Sequence, residues 1–67
     1  MEMKVYIPIE KEICDDILRD GEVVENEKFV YDGIDIEQFT VKLDGQEYLL
    51  NKNNGEWVYM YQSMKID

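Results

Sequence analysis

The sequence contains no histidine, and its only cysteine and only serine are Cys14 and Ser63. Histidine is the commonest general base and metal ligand in proteins. Without it, neither Cys14 nor Ser63 can belong to a nucleophile–histidine pair. A single cysteine also excludes an internal disulfide and a metal site built from several cysteines. We therefore expect no enzyme, no cofactor and no metal site.

Basic residues are scarce. Sixteen Asp and Glu stand against seven Lys and Arg, a net charge of −9. Residues 1–37 hold twelve acids and four bases, and residues 38–67 hold four and three. Direct binding of nucleic acid or of an anionic membrane is disfavoured because phosphate contacts need Lys and Arg. A basic protein partner is favoured, with simple solubility of an acidic surface as the alternative.

Long apolar runs are absent as well. No segment approaches the ~20 apolar residues that span a bilayer. The first residues, MEMKVYIPIEKE, lack the basic and apolar regions of a signal peptide. The lone cysteine fits a reducing compartment. We expect one domain over residues 1–67. We expect the protein in the cytoplasm, and in the cytoplasm of the host cell if a phage encodes it.

Three dipeptides that are typical of two-residue hairpin loops occur in the chain: Asp32-Gly33, Asp44-Gly45 and Asn54-Gly55. Both residues of such a loop need positive φ, which Gly, Asn and Asp tolerate best. The dipeptides predict an antiparallel meander of four strands, over residues 22–31, 34–43, 46–53 and 56–64.

Two-residue loops also predict the strand register. When the pairing that each loop sets is extended along the strands, three cross-strand rows fall on one face of the sheet, because side chains alternate with period 2. The rows are Val24, Val41, Tyr48 and Tyr61; Asn26, Phe39, Leu50 and Tyr59; and Lys28, Glu37, Lys52 and Trp57.

A helix is predicted over residues 8–20. Pro8 suits a first helical position, and Gly21 suits the left-handed residue that follows a helix. An apolar stripe at i, i+4 and i+8 should pack on the aromatic sheet face: Ile9, Ile13 and Ile17. Cys14 beside this stripe is interpreted as a small buried hydrophobe, with a redox or intermolecular disulfide role as the alternative.

The segment MKVYI before the helix is predicted to be a strand, giving an α+β domain of order β-α-β-β-β-β. This first strand can lie parallel beside the second or antiparallel beside the last. We prefer the second arrangement, with sheet order 2-3-4-5-1, because antiparallel pairs outnumber parallel ones.

A run of acids from the helix into the following strand is the predicted partner-binding surface. Like charges at i, i+4 destabilise a helix by about 0.2–0.5 kcal/mol per pair, so helix stability does not account for the acids that repeat at that spacing. The predicted residues are Glu12, Asp16, Asp20, Glu22, Glu25 and Glu27.

The sheet face away from the helix offers an alternative interface. One helix cannot cover two faces of a sheet, and an exposed apolar patch is typical of an interaction site. This surface could also form a homodimer. Its predicted residues are Phe29, Ile34, Ile36, Leu49, Val58 and Met60.

In size, charge and absence of catalytic groups, the chain resembles small acidic inhibitors encoded by phages and mobile elements, including anti-CRISPR and DNA-mimic proteins. The resemblance implies an inhibitor that binds a basic nucleic-acid-handling protein. The alternative function is a small interaction or assembly module that uses the second sheet face and has no inhibitory role. Charge-led binding should weaken steeply with salt, whereas apolar association should not.

Overall fold

The computed structural model describes residues 3–66, with side chains described for residues 3–64. The elements are β1 (Met3–Pro8), a 3₁₀ turn (Lys11–Ile13), α1 (Cys14–Asp20), β2 (Glu22–Tyr31), β3 (Ile34–Leu43), β4 (Gln46–Asn53) and β5 (Glu56–Ile66). The sheet order is β1-β5-β4-β3-β2, and every neighbouring pair is antiparallel. The α+β meander and the placement of the first strand beside the last are confirmed.

The three predicted hairpin loops are present. In each, the residue before glycine has φ of 51° or 52°, and the glycine has φ between 76° and 83°. These are the left-handed angles that a two-residue hairpin turn with the twist of the sheet requires. The dipeptides therefore set the strand boundaries, and the first three strands of the meander match the predicted ranges.

The register of β2 departs from the prediction near its start. Phe39 faces Asn26 on β2 and Leu50 on β4, as predicted. Val24, however, is an extra residue between two paired positions, so that Val23 and not Val24 faces Val41. A β-bulge of this kind inserts one residue into one strand only.

A second irregularity lies in β5, where Val58 is the extra residue. Lys52 faces Trp57 as predicted, but beyond Val58 the pairing shifts by one residue. Met60, not Tyr59, faces Leu50. A shift of one residue exchanges the two faces of a strand. The predicted placement of Met60 on the outer face, and of Tyr59 and Tyr61 beneath the helix, is therefore wrong.

The helical segment is shorter than predicted. Pro8 is the last residue of β1, and the backbone N–H of Ile9 donates to the carbonyl of Met60 over 3.0 Å. Strand pairing thus continues through Ile9, and the helical turns begin only at Lys11. Proline is tolerated there because β1 is an edge strand whose outer side needs no N–H donor.

The core lies between α1 and the centre of the sheet. Cys14, Ile17, Val41 and Leu50 are buried. Partly buried side chains surround them: Ile9, Leu18, Phe39, Leu43, Tyr48, Trp57 and Met60.

Ile13, which was predicted in the buried stripe, is 41% exposed. The 3₁₀ turn from Lys11 to Ile13 winds with 3.0 residues per turn, and this changes the direction of Ile13 relative to an α-helix.

Trp57 on β5 contacts both the helix and the sheet. Its indole Nε1 donates to Asp15 over 3.3 Å. The Phe39 ring lies 5.8 Å from the Trp57 ring, and the Lys52 ammonium lies 4.4 Å from the ring centroid. Aromatic pairing and a cation over the indole ring both stabilise this position.

Gly21 joins α1 to β2 in an extended conformation, with φ −92° and ψ 177°, so the predicted left-handed angle is wrong. The glycine is required by space. A Cβ on Gly21 would lie 2.5 Å from Cγ1 of Val41 and 2.8 Å from the carbonyl oxygen of Ile17. The end of the helix can approach the sheet this closely only without a side chain.

Ile17 in α1 and Ile13 in the preceding 3₁₀ turn should respond differently to truncation. Ile17→Ala removes a buried side chain and should lower the free energy of unfolding by about 2–5 kcal/mol. Ile13→Ala should cost less than about 1 kcal/mol because the side chain already meets solvent. Urea denaturation of both variants measures the difference, and equal losses would contradict this packing.

Gly21→Ala should destabilise the fold by about 1–3 kcal/mol, the usual range for overpacking. The comparison is Gly33→Ala, where a Cβ meets open space and only the positive φ is strained. Thermal unfolding should show the larger loss at Gly21. A variant at Gly21 that melts with the parent would mean that the helix end does not lie against Val41.

Candidate protein-binding face

The sheet face opposite α1 is named here the open face. In the described part of the chain, the helical segment packs on the other side of the sheet, around Val41 and Leu50. Strand register assigns these described side chains to the open face: Lys4, Tyr6, Glu22, Glu25, Glu27, Phe29, Tyr31, Ile34, Ile36, Gln38, Thr40, Lys42, Glu47, Leu49, Asn51, Asn53, Tyr59, Tyr61 and Ser63.

Aromatic side chains on the open face are accessible to a partner. Tyr31 is 69% exposed, Tyr59 is 59% exposed and Tyr6 is 48% exposed. Phe29 is exposed as well, beside half-buried Ile36 on β3. Exposed apolar surface on this scale is typical of interaction sites, and tyrosine is enriched at them because its ring is apolar and its hydroxyl polar.

A groove of about 380 Å³ crosses the middle of the open face. The side chains along it are Tyr6, Gln38, Thr40, Leu49, Asn51 and Tyr61. The rings of Tyr6 and Tyr61 meet edge to face, with centroids 6.5 Å apart. This contact fixes an aromatic wall on the β1–β5 side of the groove, while Gln38 and Thr40 supply hydrogen-bonding groups on the β3 side.

Carboxylates from β2 stand beside the β3 side of the groove. Glu25 faces Thr40 in the register, and Glu27 faces Gln38. Among the described residues, neither carboxylate has a salt bridge or a side-chain hydrogen bond. Glu22 also lies on β2, across from Lys42. Glu25 and Glu27 therefore present negative charge that no described cation neutralises.

The acids of the helical segment lie on the other layer. Arg19 forms salt bridges of 3.1 Å with both Asp16 and Asp20. Hydrogen bonding to Arg19 holds the pKa of Asp20 below its usual value. Arg19 therefore offsets the repulsion that the spacing of Glu12, Asp16 and Asp20 implies.

The six acids predicted as one surface thus fall into two groups. Three lie on the helical segment, and the register places the three acids of β2, Glu22, Glu25 and Glu27, on the opposite face of the sheet. The structure does not bring the two groups together. A role of either group in binding stays a prediction.

The alternative interface is brought together in part. Phe29, Ile34 and Ile36 are neighbours on the open face, and Leu49 lines its groove. Met60 packs on the core side, and Val58 is the unpaired bulge residue. The sequence reasoning missed Tyr6, Tyr59 and Tyr61. The alternating apolar and aromatic residues of β5 fit either face, so only knowledge of the bulge would have found the two from that strand.

A second depression, of about 400 Å³, lies at the end of the sheet near the first and third hairpin loops. Charged residues of both signs line it, and two of them, Lys28 and Glu37, approach within 3.6 Å. These opposite charges neutralise each other, so the depression favours no ligand charge. The groove of the open face is the better candidate because Glu25 and Glu27 beside it have no salt bridge within the described residues.

Cys14 is buried beneath the helix, and its thiol donates to the carbonyl of Glu10 over 3.7 Å. Desolvation, reinforced by the negative charges of Asp15 and Glu12, raises the pKa of the Cys14 thiol from 9.0 to about 11. The thiolate is the reactive form of cysteine. A buried, protonated thiol fits the interpretation of Cys14 as a small hydrophobe.

Within residues 3–64, no three His, Cys, Asp or Glu side chains are arranged to hold a metal ion. The described helical segment is also too short and too polar to cross a bilayer. Comparison with models of protein families, with curated proteins and with solved structures finds no match for this chain.

The Cys14 thiol should resist alkylation. At pH 8 its thiolate fraction is lower in the folded protein than in the unfolded chain by on the order of 100-fold, given pKa values of about 11 and 9.0. Iodoacetamide should therefore label the native protein at least that much more slowly than the protein in urea. Equal labelling rates would show that the thiol is accessible.

The same shift gives a pH dependence of stability. The pKa of Cys14 is higher in the folded protein than in the unfolded chain. The protonated thiol therefore contributes fully to the free energy of unfolding below pH 9.0, and this contribution is lost as pH rises through about 11. Cys14→Ala lacks the titrating group. The parent should lose stability faster than Cys14→Ala across this window in urea denaturation, and parallel curves would contradict the shift.

Proposed function

We propose that this protein is a non-catalytic binding protein that docks a basic protein partner on its open face. The observation that carries the proposal is the groove of the open face, which has tyrosines on one side and, on the other, Thr40 and Gln38 with Glu25 and Glu27 beside them on the next strand. Aromatic side chains give apolar contact area with a polar edge. Carboxylates without an internal partner remain available to a cation of another protein.

The net charge supports a basic partner. A chain of charge −9 attracts basic proteins at long range and repels acidic ones. Such steering raises the rate of association and restricts the choice of partner more than it adds to affinity. Repulsion between two chains of charge −9 also disfavours the homodimer.

The dimensions of the open face support a protein partner. Five strands lie side by side. At about 4.8 Å between strands and about 3.4 Å per residue, eight residues deep, the face measures about 24 Å by 27 Å, or about 650 Å². A stable protein complex buries about 800 Å² on each partner. Side chains projecting from the face add the remaining area.

The size of the core also supports the proposal. Only four apolar side chains in the described part of the chain are buried. A partner on the open face would remove further apolar surface from water, and binding to the folded state stabilises it by mass action. We therefore propose that the complex unfolds at a higher temperature than the free protein.

A second candidate function narrows the partner to a nucleic-acid-handling protein that this chain inhibits. The net charge of −8 in residues 1–37 favours it. Alternate residues of β2 place carboxylates about 6.8 Å apart, a spacing within a factor of two of the ~3.4 Å rise per phosphate in duplex DNA. Competition between duplex DNA and this protein for the captured partner distinguishes the two functions.

The proposed function is tested by capture from a lysate of the source cells. The immobilised parent should retain a basic protein, identified by mass spectrometry, and Phe29→Ser with Tyr61→Ser should lose it. The matched control, Glu12→Gln with Asp16→Asn, alters charge on the helical layer and should retain it. Circular dichroism checks that each variant is folded.

Salt provides the second readout. Raising the salt concentration should weaken capture by the parent, because screening reduces the attraction between the −9 chain and a basic protein. Capture that survives the open-face substitutions and is lost in the helical control would mean that the acids of the helical segment bind the partner. The open-face proposal would then be wrong.

A further inference from the structure

We propose that the groove of the open face binds the side chain of an arginine in an exposed basic segment of the partner. This inference rests on the proposed function and names the chemical group that the open face recognises. It depends on the order of four side chains across the sheet: Tyr61, Leu49, Thr40 and Glu25.

These four side chains form one cross-strand row, from β5 to β2. Three strand spacings of about 4.8 Å separate the Cα atoms of Tyr61 and Glu25 by about 14 Å. Leu49 and Thr40 lie between Tyr61 and Glu25 in this row and line the groove. An arginine side chain is long and narrow enough to lie along the row.

The row matches the two chemical parts of arginine. The aliphatic stem would lie on Leu49 and the ring of Tyr61, since long charged side chains bury their methylene groups on apolar surface. The guanidinium would then reach Thr40 and Glu25.

The acceptors around the predicted guanidinium position favour arginine over lysine. Glu25 and Glu27 are carboxylates without a described partner, and the neighbouring side chains of Thr40 and Gln38 carry oxygen acceptors. Arginine has five N–H donors in a planar fork and pairs with carboxylates in a bidentate manner. The lysine ammonium has three donors, is strongly hydrated and cannot form the fork.

The described cations of the open face do not occupy this position. Lys4 bridges Glu47 over 3.7 Å. Lys42 lies between Glu22 and Glu47 in the register, one row away from Glu25. A second copy of the chain is a poor occupant because it would bring Glu25 and Glu27 against the same carboxylates and add a charge of −9. Charge complementarity thus selects a basic segment.

The test uses three synthetic peptides with a glycine–serine background that carry two arginines, two lysines or two citrullines. Citrulline has the shape of arginine without its charge. Titration into the ¹⁵N-labelled full chain, followed by amide chemical shifts, should move the signals of Leu49, Thr40 and Tyr61. The arginine peptide should bind at least about threefold more tightly than the lysine peptide, and the citrulline peptide should bind at least about tenfold more weakly than the arginine peptide.

Variants assign the effect to the two sides of the groove. Glu25→Gln with Glu27→Gln should weaken the arginine peptide by at least about tenfold, because both charged acceptors are lost. Tyr61→Ser removes the apolar surface on which the stem lies, so it should weaken the arginine and lysine peptides alike and leave the ratio of their affinities unchanged. The matched control, Glu12→Gln with Asp16→Asn, makes the same change in charge on the other layer and should bind as the parent does.

The inference fails if arginine and lysine peptides bind equally to the parent, if no peptide binds, or if shifts are confined to the helical segment. Its failure is separate from that of the proposed function. A partner that is captured through Phe29 and Tyr61 while the arginine peptide shows no preference would leave the open face as the docking surface and remove arginine as its ligand.

Discussion

The contact of α1 with the centre of the sheet is the interaction on which the other features of the fold depend. Ile17 and Cys14 pack on Val41 and Leu50, and these four are the buried apolar side chains of the described chain. The helix that supplies the first two is only seven residues long. It covers part of one sheet face and leaves the other to solvent, so the open face is a direct consequence of how little helix the chain contains.

Local chemistry made the strands predictable. The positive φ values at Asp32, Asp44 and Asn54 are required by the turns, and few residue types supply them. The bulges were not predictable in this way. Val24 and Val58 are β-branched residues of the kind that ordinary strands prefer. Nothing in the sequence around them indicates that the neighbouring strand has no residue opposite either of them. Every error in face assignment on β5 follows from this one missing fact.

The candidate site, like the fold, was predictable from the sequence only in part. The acids of β2 and the apolar residues near the first hairpin could be placed on one face from the period of 2 alone. The separation of Glu25 from Asp16 follows from the same period, because the helix was predicted to pack on the face of Asn26 and Phe39; the prediction of one acidic surface overlooked this consequence. The salt bridges of Arg19 were hidden, since several acids lie within reach of it in sequence and only the structure selects Asp16 and Asp20.

The bulge at Val58 decides which side chains of β5 meet solvent. It turns Tyr59 and Tyr61 toward solvent and Met60 toward the helix. Regular pairing of Val58 with Asn51 would reverse this arrangement, with Tyr59 and Tyr61 beneath the helix and Met60 on the open face. Deletion of Val58 would not reverse it, because Tyr59 would then follow Trp57 directly and still face Asn51. The open face would therefore keep its tyrosines if this residue were lost, but not if the residue stayed and the bulge were lost.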